Sequence, residues 1–74
     1  MYNRKRIRET EYANIYWRHF EKVNERGDVI GEATVSVVTG EMIIRKLRLG
    51  LFFTESRSQC DIDDIPTAVA VELN

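Results

Sequence analysis

"NERGDVIGEA", residues 24–33, is the stretch on which the fold depends. Gly27 within it either ends a helix covering about 10–25 or closes the turn of a β-hairpin. Periodicity allows the helix. Tyr12, Ile15, Tyr16, His19, Phe20 and Val23 fall on one face at the i, i+3, i+4 spacing of an amphipathic segment. Charge opposes it, because Glu21/Glu25, Arg18/Lys22 and Lys22/Arg26 are like pairs four residues apart, each costing a few tenths of a kcal/mol.

A hairpin accounts for more of the chain. A three-residue loop, Glu25-Arg26-Gly27, needs a left-handed residue at its third position, which glycine supplies without steric cost. Asn24 then faces Asp28, and the register carries outward to pair Val23 with Val29, His19 with Ala33, Trp17 with Val35 and Ile15 with Val37 on a buried face. Tyr16, Arg18 and Phe20 are placed on the opposite face. The hairpin is expected over about 14–38.

Next comes "VVTGEMIIRKLRLGLFF", residues 37–53. Thr39 suits a helix N-cap, Glu41 suits the positive N-terminal end, and Ile43, Ile44, Leu47 and Leu51 share one face. A third strand is the competing reading, but it turns Lys46 and Arg48 toward the apolar face, where charges are costly. A helix over about 40–50 is therefore expected. "TESRSQCDIDDIP" reads as a loop, and the alternation in "TAVAVELN" reads as a closing strand over about 67–73.

The expected architecture is α+β, in the order strand, strand, helix, strand, with an all-β meander and an N-terminal helix as alternatives. Residues 1–11 form a basic arm before a single small globular domain at 12–74. The 43% apolar and 31% charged composition of the 74 residues is that of a globular chain. A domain this small buries only about 60% of its unfolded surface, which leaves little room for a deep cleft.

Charge is unevenly distributed although the net is only −1. Arg4, Lys5, Arg6 and Arg8 make a basic cluster of the kind that neutralises phosphates, and Arg45 and Arg48 on the expected helix continue it. Residues from Glu55 onward are acidic. No apolar stretch nears the ~20 residues that span a bilayer, so no membrane partner is expected. A single cysteine, Cys60, behind a charged N-terminus that does not resemble a secretory signal, points to the reducing cytoplasm.

Catalytic signals are sparse. One histidine, His19, and one thiol, Cys60, cannot supply a His/Cys metal set, and neither a metal nor a cofactor is expected. Asp61, Asp63 and Asp64 beside Cys60 should raise its pKa, which argues against a Cys60–His19 nucleophile pair. "DIDDIP" departs from a calcium loop at Ile65 and Pro66.

What remains is a surplus of apolar surface. Tyr16, Arg18 and Phe20 on the outer hairpin face, with Met42, Leu49 and Phe53 as a second strip on the helix, form the expected protein interface. The sequence therefore points to a small non-catalytic interaction or regulatory module that docks on another protein or self-associates. Nucleic-acid binding through Arg4, Lys5, Arg6, Arg8, Arg45 and Arg48 is the alternative.

Overall fold

A computed structural model describes residues 6–11, 14–48 and 52–74. Five strands make one antiparallel sheet in sequence order: β1 (Arg6–Glu9), β2 (Trp17–Val23), β3 (Val29–Ser36), β4 (Glu41–Arg48) and β5 (Phe52–Gln59). A single 3-10 turn at Ile62–Asp64 leads into the helix α1 (Ile65–Leu73). The sheet is a meander closed by one short helix, not the expected strand, strand, helix, strand order.

The hairpin turn lies where the glycine places it. Gly27 has φ 87°, the Asn24 N–H donates to the Asp28 carbonyl at 3.0 Å, and Val23 pairs with Val29. Asn24 Oδ1 accepts from the N–H groups of Arg26 and Asp28, so one side chain satisfies two turn donors.

Beyond Val23 the register departs from expectation by one residue. Lys22 pairs with Gly31, so Ile30 is an extra residue without a partner, and the pairs become Phe20 with Ala33, Arg18 with Val35 and Trp17 with Ser36. A one-residue bulge exchanges the two faces of a strand. Phe20 turns inward and is 4% exposed, whereas Trp17 and His19 stand on the opposite face.

The expected helix at 40–50 is strand β4. The charges that argued against a strand are tolerated because of their position along it. Met42 and Ile44 occupy the two inward places opposite Val35 and Ala33, while Lys46 lies farther out, opposite Gly31, and Arg48 is exposed. The inward charges thus sit at the end of the buried patch and keep access to water.

The expected strand at 67–73 is α1. Pro66 opens it, in the first turn where a missing N–H costs nothing. Ile65, Val69 and Leu73, spaced by four, form its buried stripe. These three close the core against Phe20, Ala33, Val35, Met42 and Ile44, with Ile7, Val37, Cys60 and Ala68 packed at its margin. Lys22 Nζ donates to the Leu73 carbonyl at 2.7 Å, a cation at the negative end of the helix.

The second half of the basic arm is a strand of the same sheet. β1 pairs with β2 from Arg6 opposite Val23 to Glu9 opposite Phe20. Glu9 and Arg18 tie the strands together through two contacts of 2.7 Å. That bidentate pairing with Arg18 holds the Glu9 carboxyl below its ordinary range, partly offset by burial.

Candidate functional surface

Helix α1 covers one face of the sheet, and alternation along each strand sends the odd-numbered residues of β2, β4 and β5 to the other. That open face is laced with charge. Arg8, Glu21, Glu32, Arg45 and Glu55 lie in one row across all five strands. Arg8 reaches Glu21 at 3.1 Å, Arg45 reaches Glu32 at 3.9 Å, and Arg57 reaches Glu41 at 2.9 Å. Arg45 also stands over the Phe53 ring, 4.6 Å from its centroid, a cation–π contact.

His19 lies within this network. Its Nδ1 is 2.9 Å from Thr10 Oγ1 and its Nε2 is 3.2 Å from Glu32 Oε1. In the Nε2–H tautomer the threonine hydroxyl donates to the ring and the ring donates to the carboxylate. A hydroxyl, an imidazole and a carboxylate in that order also make up a hydrolytic triad. Two observations favour a sheet-bracing role. Thr10 Oγ1 has a second acceptor in the His19 carbonyl at 3.4 Å. The adjoining depression, about 270 Å³, is lined by Glu9, Glu11 and Glu21 with Arg8 and Thr10, and its three carboxylates would oppose an oxyanion developing there. Sequence reasoning weighed His19 only against Cys60. Glu32 was out of its reach because its approach depends on the bulge-shifted register, and Thr10 because residues 1–11 read as an arm outside the sheet.

Cys60 is not near this network in the fold. It directly follows β5 and packs against the core on the helix side, whereas His19 faces away from the helix. Burial, with Asp61 next, pushes the thiol pKa up. Cys60 is therefore expected to react with iodoacetamide at pH 7 at least several-fold more slowly than the same thiol in the urea-unfolded chain. Equal rates, read by mass spectrometry, would contradict the placement. Asp61 Oδ1 accepts the Asp63 N–H at 2.9 Å, so it caps the 3-10 turn. Among the described residues no group of three or more His, Cys, Asp or Glu side chains is placed to hold a metal ion.

The residues expected to form an interface are dispersed. Phe20 and Met42 are core, which removes them as exposed anchors. Arg18 lies over the Phe20 ring at 5.3 Å and is held by Glu9. Phe53, 37% exposed, is on the opposite face of the sheet from Met42, so the two form no common strip. Leu49 lies outside the described residues, as do Arg4 and Lys5. Arg45 and Arg48, three apart on a strand, point to opposite faces and form no shared basic patch. Arg6 and Arg8 are exposed on β1.

Tyr16 is the expected anchor that stays in solvent, 57% exposed, and it has company. Ile15 is 79% exposed and Val38 64%. The Val37 N–H donates to the Tyr16 carbonyl at 2.9 Å, so the approach to β2 and the β3–β4 turn lie side by side. Asn14 Oδ1 accepts from the N–H groups of Tyr16 and Trp17 and fixes the chain at that point. No family model, curated protein or solved structure matches this chain.

Proposed function

We propose that the protein is a small non-catalytic interaction module, anchored on an apolar site of a partner protein through Tyr16, Ile15 and Val38. The observation that supports this is that two backbone segments lying side by side at one end of the sheet carry three large apolar residues exposed to water. Tyrosine at a solvent-exposed apolar cluster has the chemistry of a binding hot spot, a large ring with a polar tip that loses little entropy on docking.

Charge favours a protein over a polyanion. Arg8, Arg18, Arg26, Arg45 and Arg57 each lie within ion-pair distance of a carboxylate of the same chain. Phosphates would have to displace these partners, and the net charge of −1 adds no long-range attraction. A lone thiol fits a reducing compartment, and the cytoplasm is proposed on that basis. Among the described residues no helix is long and apolar enough to cross a membrane.

Tyr16→Ala should weaken capture of a specific protein partner roughly 30-fold, equivalent to about 2 kcal/mol, while the unfolding midpoint stays nearly constant. Arg8→Ala should leave capture almost unchanged. A capture abolished by nuclease, steeply salt-dependent and lost with Arg8→Ala instead would establish the nucleic-acid alternative.

A further inference from the structure

Strand β5 is one edge of the sheet, and residues 53–57 are exposed along it without a break. Sheet edges are commonly blunted by charge, proline, a bulge or short length. β5 has no proline, bulge or shortening, and its two charges, Glu55 and Arg57, are of opposite sign: it runs eight residues and pairs with β4 without interruption from Glu41 opposite Gln59 to Arg48 opposite Phe52. The hydrogen-bond phase of the edge follows from one bond. The Cys60 N–H donates to the Gly40 carbonyl at 2.9 Å, so even-numbered residues of β5 turn their backbone groups toward β4. Phe53, Glu55, Arg57 and Gln59 therefore present their N–H and C=O groups outward.

We propose that two copies of this chain pair along β5, antiparallel about a two-fold axis through Ser56, to make one ten-stranded sheet. This goes beyond the docking reading and stands independently of it, because it uses the edge of the sheet rather than the end of β2.

Phase and charge select this pairing. Only odd residues face outward, so odd must pair with odd. With Ser56 on the axis, Glu55 of each copy faces Arg57 of the other, and Phe53 faces Gln59. A shift by two residues in either sense brings Glu55 against Glu55 or Arg57 against Arg57. Each of the four outward pairs exchanges two backbone bonds, about eight in all. On the helix side the chains that meet are Ser56 with Ser56 and Thr54 with Ser58, small enough for the close approach of non-hydrogen-bonded pairs. Arg57 already serves Glu41, and its five donors can serve Glu55 of the second copy as well. The other edge lacks this complementarity. In β1 the Thr10 N–H donates to the His19 carbonyl, so Ile7 and Glu9 face outward, and every self-pairing of Arg6–Glu9 sets like charges opposite each other. A two-fold axis normal to the sheet puts both helices on one side and joins the two open faces into one.

Sedimentation equilibrium of the full chain from about 10 μM to about 1 mM should show a monomer–dimer equilibrium, the behaviour of a small interface. Glu55→Arg sets the introduced cation against Arg57 twice and should weaken self-association at least tenfold. Arg57→Glu should do the same, and an equimolar mixture of the two variants should recover a dimer, because each then complements the other. Amide exchange supplies a readout that needs no variant. The Phe53, Glu55, Arg57 and Gln59 amides should gain protection together as wild-type concentration rises. A wild-type monomer across the whole range would overturn the proposal. So would a dimer that is indifferent to Glu55→Arg, or one that leaves those four amides unprotected.

Discussion

Phe20→Ala should destabilise the domain by about 3 to 5 kcal/mol, the range for deleting a fully enclosed aromatic ring. The ring is 4% exposed, pairs with Ala33 across the sheet and belongs to the cluster that Ile65, Val69 and Leu73 of α1 close. Alanine would leave a cavity between sheet and helix, and Arg18 would lose the ring beneath its guanidinium. A 74-residue domain has roughly 4 to 11 kcal/mol in total, so the variant should be partly unfolded or nearly so at 37 °C. Urea titration followed by far-UV circular dichroism measures this directly. An unfolding midpoint within about 0.3 M of wild type would mean that Phe20 faces solvent and that the unshifted register is the right one.

That outcome would matter because Phe20 marks the point where sequence and structure part. The turn itself was legible: Asn24, Gly27 and Asp28 carry enough local chemistry to fix both its position and its closing pair. The side facing the core was not. In Val29-Ile30-Gly31 the glycine is compatible with a bulge but equally with a close backbone approach in a regular strand, yet the extra residue at Ile30 decides whether Phe20 or Trp17 is buried. The β4 and α1 assignments failed for a different reason. "EMIIRKLR" satisfies both a 3.6-residue and a two-residue period, and "TAVAVELN" alternates while also holding Val69 and Leu73 four apart. Ambiguity of that kind is resolved by tertiary packing. Five strands leave one uncovered apolar face, and the last segment covers it by coiling.

The candidate site was legible to a similar degree. Tyr16 could be named from its residue type and neighbours, but its cluster with Val38 depends on the β3–β4 turn returning beside it. The contacts of His19 with Thr10 and Glu32 and the alternating edge charges of β5 both exist only once strands are in register. Single-sequence patterns describe one segment at a time, and these features belong to pairs of segments.

Gly40→Ala should have an effect of similar size to loss of the Phe20 ring, about 3 to 5 kcal/mol, for a backbone reason. Gly40 has φ 79°, a left-handed conformation that costs an ordinary residue about 1 to 2 kcal/mol. A β-carbon there would also collide with the Cys60 carbonyl oxygen, which is backbone. The two segments cannot separate cheaply. The Gly40 carbonyl accepts the Cys60 N–H at 2.9 Å, the Gly40 N–H donates to the Ser36 carbonyl at 3.0 Å, and Gln59 Nε2 donates to the Thr39 carbonyl. Relief of the clash would therefore break the seam between the β3–β4 turn and the end of β5, immediately before the chain enters α1. Gly27→Ala is the internal control: φ is 87° but nothing lies within 4 Å of the added carbon, so only the conformational cost, about 1 kcal/mol, applies. The difference between the two unfolding free energies isolates the close approach. If Gly40→Ala proved no more damaging than Gly27→Ala, the turn would not rest against Cys60, and the edge geometry inferred for β5 would lose the bond from which its phase was read.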